Sequence, residues 1–97
     1  MTNEEIWNIG LEERTDELSK LQSEYDRLDV ECRKAEFEKD MYARLRDVNN
    51  AMLYKQKFSE KYEKCARESE KLTKQKKALE NEISVLKKEI YYINSLM

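Results

Sequence analysis

Two heptad patterns run along this chain, and they do not share a register. In the first, Leu11, Leu18, Tyr25, Cys32 and Lys39 occupy a positions, while Arg14, Leu21, Leu28, Ala35 and Tyr42 occupy d. In the second, Phe58, Cys65, Leu72, Leu79, Leu86 and Ile93 fall at d, with Tyr62, Ser69, Lys76, Ile83, Ile90 and Met97 at a. Apolar residues at this spacing line one side of a helix and make a narrow seam that a second helix must cover. The two a series differ by two in the heptad count, which no single stutter or stammer repairs. Between them Met41, Leu45, Val48 and Met52 form a short stripe spaced 4, 3 and 4, and an asparagine pair, Asn49–Asn50, sits inside it.

Little in the chain can turn it. It has one Gly and no Pro in 97 residues, and 41% of its side chains are Asp, Glu, Lys or Arg. That composition belongs to long helices and coiled coils. High charge alone would also suit a disordered segment, but the ordered spacing of the apolar residues argues for helix.

The register change poses a choice between a straight helix and one that folds back. Asn is a mediocre helix former and not a breaker, and LRDVNNAMLYK offers no residue for a C-terminal cap except the asparagines. Folding back would also set the g residues Glu17, Glu24, Glu31 and Glu38 against Lys61, Glu68, Gln75, Glu82 and Glu89, mostly like against like. The expected fold is therefore all-α, a long continuous helix of about 130–140 Å forming a parallel two-stranded coiled coil. The alternative is an antiparallel helical hairpin turning near Asn49–Asn50, with Asn50 capping a second helix from Ala51.

Four stretches follow. Residues 1–10 form an apolar docking segment and helix start, in which Thr2 and Glu5 have the form of a capping box. Helix is expected from residue 3 or 4, weakened at Gly10, with Thr15 as a second possible start. Residues 11–42 make an acidic coiled coil with a weak seam of Leu11, Leu18, Leu21, Tyr25, Leu28, Cys32 and Ala35. Residues 43–57 are the register transition. Residues 58–97 are the strong zipper, because Ile at a with Leu at d favours two parallel strands.

The halves carry opposite charge, with 8 basic and 14 acidic residues in 1–50 against 11 and 7 in 51–97. In a parallel dimer Glu82 would face Lys87, but Glu24 would meet Asp29 and Glu31 would meet Glu36, which makes the first half a poor homodimer. The expected partners are a second copy, joined through Phe58, Tyr62, Cys65, Leu72, Leu79, Ile83, Leu86, Ile90, Ile93 and Met97, and another, more basic protein along the first half. A homodimer throughout, its acidic side chains merely solvated, is the plainer version. Ile6, Trp7 and Ile9 are the candidate docking residues, since Trp is enriched among binding hot spots. Tyr91 and Tyr92 widen the apolar face near the other end.

Signals of catalysis are lacking. The chain has no His, no Cys-x-x-Cys pair and no glycine-rich phosphate loop, so neither a zinc site nor any other cofactor is expected, and no catalytic set can be assembled. Cys32 and Cys65 read as small core-filling thiols. The run KLTKQKK places Lys71, Lys74 and Lys77 near one another, where they could meet phosphates or an acidic filament. Charge runs on coiled coils are usually solvated faces, and nucleic acid is not expected as a partner. No stretch approaches the ~20 apolar residues a membrane span needs. Two cysteines without a disulfide pattern fit a reducing compartment, cytoplasmic or nuclear. Heptads that continue to Met97 without a cap are expected of a piece of a longer coiled-coil protein. The functional expectation is a non-enzymatic oligomerisation and scaffold or adaptor module; a helical-hairpin subunit of a larger assembly and a filament- or nucleic-acid-binding rod are the alternatives.

Overall fold

The computed structural model describes residues 1–96, so the seam position assigned to Met97 lies outside the described residues. The chain is all-α. Helix α1 spans Asn3–Val48 and helix α2 spans Met52–Leu96. The unbroken helix expected from the sequence is interrupted at residues 49–51, and the hairpin alternative is the arrangement formed.

The start of α1 follows from its first residues. The Glu5 amide donates to Thr2 Oγ1 at 3.2 Å, the Thr2 amide donates to Glu5 Oε2 at 3.4 Å, and the Ile6 amide donates to the Thr2 carbonyl. This is the capping box, two orphan donors satisfied reciprocally. The helix passes Gly10 without a break. Thr15 caps nothing; its hydroxyl donates to the Leu11 carbonyl one turn back, inside the helix.

The turn is built without glycine, proline or any positive φ among the described residues. Asn49 makes it possible. Its side-chain oxygen accepts the Ala51 amide at 3.0 Å, an Asx turn in which the side chain imitates the backbone. The Ala51 carbonyl then accepts the Lys55 amide at 3.0 Å, the first bond of the next helix. Ala51, and not Asn50, therefore stands at the N-cap, and α2 begins one residue later than expected.

The chain divides into two compact units. One, Leu28–Lys76, contains the turn and the facing stretches of both helices. Its core is Leu28, Cys32, Ala35, Ser69 and Leu72. Most of these side chains are small, and small residues let helix backbones approach closely. Nearer the turn the packing becomes aromatic. Tyr42 and Phe58 stack with ring centroids 6.3 Å apart, Lys61 lies 5.4 Å from the Tyr42 ring centre, and Arg46 lies 5.0 Å from that of Tyr62. Across the pair Cys32 Sγ meets Thr73 Oγ1 at 3.5 Å, and the Cys65 thiol donates to Glu38 at 3.9 Å.

The other unit comprises Met1–Arg27 and Lys77–Met97. Ile83 and Leu86 are its buried residues. Arg14 Nε donates to Glu89 Oε2 at 3.0 Å, and the Tyr25 hydroxyl donates to Glu80 Oε1 at 2.9 Å. In each unit a higher residue number in α1 meets a lower one in α2, so the segments run antiparallel.

Folding back brings the g residues Glu17, Glu82 and Glu89 along one groove and Glu38, Lys61 and Glu68 along another. It also gives Arg14 a carboxylate at Glu89 and Lys76 a carboxylate at Asp29. In a parallel dimer each of these seam cations would have faced its own copy. Like charges repel and unpaired charges are costly to bury, so the doubled-back arrangement resolves two conflicts that the parallel one would keep.

Candidate interaction surfaces

Every described seam position lies inward. Leu28, Cys32, Ala35, Ser69, Leu72, Ile83 and Leu86 are buried. Leu11, Arg14, Leu18, Leu21, Tyr25, Lys39, Tyr42, Phe58, Tyr62, Cys65, Lys76, Leu79, Ile90 and Ile93 are half-buried. Each half thus supplies the cover that the sequence reading sought from a second chain. The zipper residues of 58–96 are buried or half-buried on the side that packs against α1.

A two-helix pair cannot enclose what lies between its helices. Among the described residues no side chain is fully buried. The flanks of the pair stay open as grooves, and large apolar residues remain outside.

In the unit formed by the terminal segments, the expected docking residues Ile6, Trp7 and Ile9 are exposed by 50%, 38% and 42%. They lie in the first two turns of α1, just after the capping box. Trp7 lines a shallow cavity of about 360 Å³ with Asn3, Glu4 and Leu96. Tyr91 and Tyr92 are 77% and 64% exposed, so neither thickens the seam.

The same unit carries a larger groove, about 720 Å³, which the sequence reading did not single out. Its lining includes Tyr25 and Ile83, with Tyr91 at one side. Asp26 and Glu80 stand at one end and Lys87 and Lys88 at the other. The Tyr25–Glu80 hydrogen bond ties the two helices together at the acidic end. The signal was present as a second stripe on α2, Glu80, Ser84, Lys87, Lys88 and Tyr91, spaced 3 and 4 like any helix face. It is mostly polar, and hydrophobic periodicity passes over it.

In the turn-containing unit Val30, Phe37, Val48, Met52, Leu53 and Tyr54 are exposed, each by more than half. Phe37, Met41 and Leu45 flank a cavity of about 320 Å³ with Asp40 and Arg44. The Met41, Leu45, Val48 and Met52 stripe of the register transition is therefore split, its last member lying beyond the turn.

Among the described residues four titrating groups depart from their ordinary values. Hydrogen bonds from Lys76 and Arg33 hold the Asp29 carboxyl below its usual value, and Arg33 is raised in return. Arg27 lowers Glu24 in the same way, one helical turn away. Burial, with the neighbouring Glu38 carboxylate, pushes the Cys65 thiol up. Both cysteines are free thiols. Cys65 and its partner Glu38 line a cavity of about 330 Å³ with Lys61 and Lys64, where the raised pKa keeps the sulfur in its less reactive thiol form. Among the described residues, no group of three or more Cys, Asp or Glu side chains is placed to hold a metal ion. No helix there is long and apolar enough to cross a membrane.

The basic run is partly engaged. Lys74 pairs with Glu70 at 3.4 Å and Lys76 with Asp29 at 2.6 Å. Comparison with family models, curated proteins and solved structures finds no match for this chain.

Proposed function

We propose that this chain is a non-enzymatic scaffold module, a helical-hairpin subunit that contributes its outer faces to a larger protein assembly. The observation that carries this reading is the division of its apolar residues. The seam positions of both halves are turned toward each other, while Ile6, Trp7, Ile9 and the residues around the turn stay outside. Apolar side chains clustered at the surface gain by burial against a partner, at about 25 cal/mol per Å² covered. Trp7 supplies the anchor, with Ile6 and Ile9 around it, and the protein partner is expected along this amino-terminal part.

The test compares proteins retained by the wild-type chain with those retained by a Trp7→Ala, Ile9→Ala variant of equal helicity. A partner lost on substitution, and recovering the chain in the reciprocal experiment, supports the proposal. Identical sets from both chains would remove the role given to Trp7.

A further inference from the structure

The groove between the terminal segments has a charge order that a two-fold axis reverses. Ser84 lies at its middle on α2, with Glu80 one turn before it and Lys88 one turn after. All three side chains are exposed, as are Lys87 and Tyr91. Among the described residues neither Lys87 nor Lys88 forms an ion pair, and the hydrogen bond Glu80 accepts from Tyr25 leaves its second carboxylate oxygen available. When two such helices cross antiparallel about an axis through Ser84, Glu80 of one meets Lys88 of the other, twice. The small Ser84 side chains let the backbones approach at the axis.

We infer that this groove is the face on which two copies of the chain associate, isologously, through α2 against α2. The charge order selects a second copy over a different helix, and two further features mark the groove as an interface. The ends of the groove are opposite in sign, so the surface is complementary to itself, as a closed two-fold interface requires. Its lining carries the ring of Tyr25, which the pair leaves half-exposed, beside an already buried Ile83. The exposed Tyr91 supplies a large amphipathic side chain on the same face, of the kind enriched at interfaces. The inference rests on the scaffold reading and names one of its contacts. It uses a different face from the seam residues of 58–96, which lie against α1.

Charge reversal tests it, with mass measured by sedimentation equilibrium and helicity followed by circular dichroism. The wild-type chain is expected to dimerise. Glu80→Lys sets Lys against Lys88 at both symmetric contacts, and Lys88→Glu sets Glu against Glu80. Each is expected to weaken the dimer by at least about tenfold. Lys88→Glu leaves the Tyr25–Glu80 bond intact, so its loss of mass does not arise from that contact. The double variant, Glu80→Lys with Lys88→Glu, restores the dimer. An equimolar mixture of the two single variants also forms one, since both cross-contacts are then opposite in sign.

A wild-type chain that stays monomeric, or a dimer indifferent to both reversals, overturns the inference. The result stands apart from the Trp7 experiment, which reads a different protein at a different surface, so each can fail without the other.

Discussion

Lys76 Nζ lies 2.6 Å from Asp29 Oδ1, joining α2 to α1 within the turn-containing unit. Both side chains are about three-quarters covered. Arg33 grips the same carboxylate from one turn along α1, its Nε at 3.0 Å from Oδ2. A lysine at a seam position is thereby given the counter-charge that a parallel copy would have withheld.

The pair has a sign that pH can read. Asp29 titrates below its ordinary value of 3.8 in the folded chain, so its contribution to stability is complete above that value. It disappears as pH falls through the lower, folded pKa. Lys76→Met removes the first cause of the shift and leaves Arg33. Carboxyl NMR should then find Asp29 titrating higher than in the wild type, still below 3.8, with a shallower acid loss of stability. An Asp29 titration unmoved by the substitution would show that the contact is not made in solution.

Cys65 is shielded by burial first and by the Glu38 carboxylate second. Both disfavour the thiolate, the form that reacts. Glu38→Gln removes the charge, so the thiol pKa should fall and alkylation at neutral pH should quicken, by a few-fold. Cys65 rates are read in a Cys32→Ser background. Equal rates with and without Glu38 would refute the coupling.

Cys32 and Thr73 bring their side-chain tips within 3.5 Å. Thr73→Cys, with Cys65→Ser, should therefore oxidise to a disulfide closed within one chain. Non-reducing mass analysis should give the mass of a single chain. A cross-linked species of twice that mass would mean that the facing helix comes from another molecule.

Gly10 lies inside α1 with helical geometry, and a methyl group there would meet only the flexible end of Arg14 at 3.4 Å. Gly10→Ala should raise stability by about 1 kcal/mol, since the backbone freedom lost on folding is reduced. Denaturant unfolding measures it. A loss instead would mean that the Arg14 bond to the Gly10 carbonyl, 3.2 Å, cannot yield.

Asn49 carries the turn through one side-chain oxygen. Asn49→Ala leaves the Ala51 amide without it and should cost about 1 kcal/mol, the net worth of a typical hydrogen bond. Asn50→Ala, lacking that contact, should change stability by less than half as much. If the two substitutions cost the same, the Asx turn is not what holds the bend.

Much of this protein can be read from its residues in order. The capping box at Thr2 and Glu5 was legible because it is local: three residues and two hydrogen bonds specify it. The inward face of each helix was legible too, from Leu11 to Tyr42 and from Phe58 to Ile93. A heptad states the direction in which a side chain leaves its own helix axis, and that direction does not depend on what lies beyond.

What faced that seam had to come from the tertiary structure. Burying Leu72 against the first helix of the same chain or against a copy of itself covers apolar area either way, and the hydrophobic effect has no direction by which to choose. The choice fell to terms that a repeat does not display: an asparagine side chain that makes a turn without glycine, a short loop that closes at small entropic cost, and two seam cations that find carboxylates only when the helices run antiparallel. The groove between Asp26 and Lys88 was invisible for the same reason. Its two walls are more than fifty residues apart in sequence, and nothing short of the folded pair brings them together.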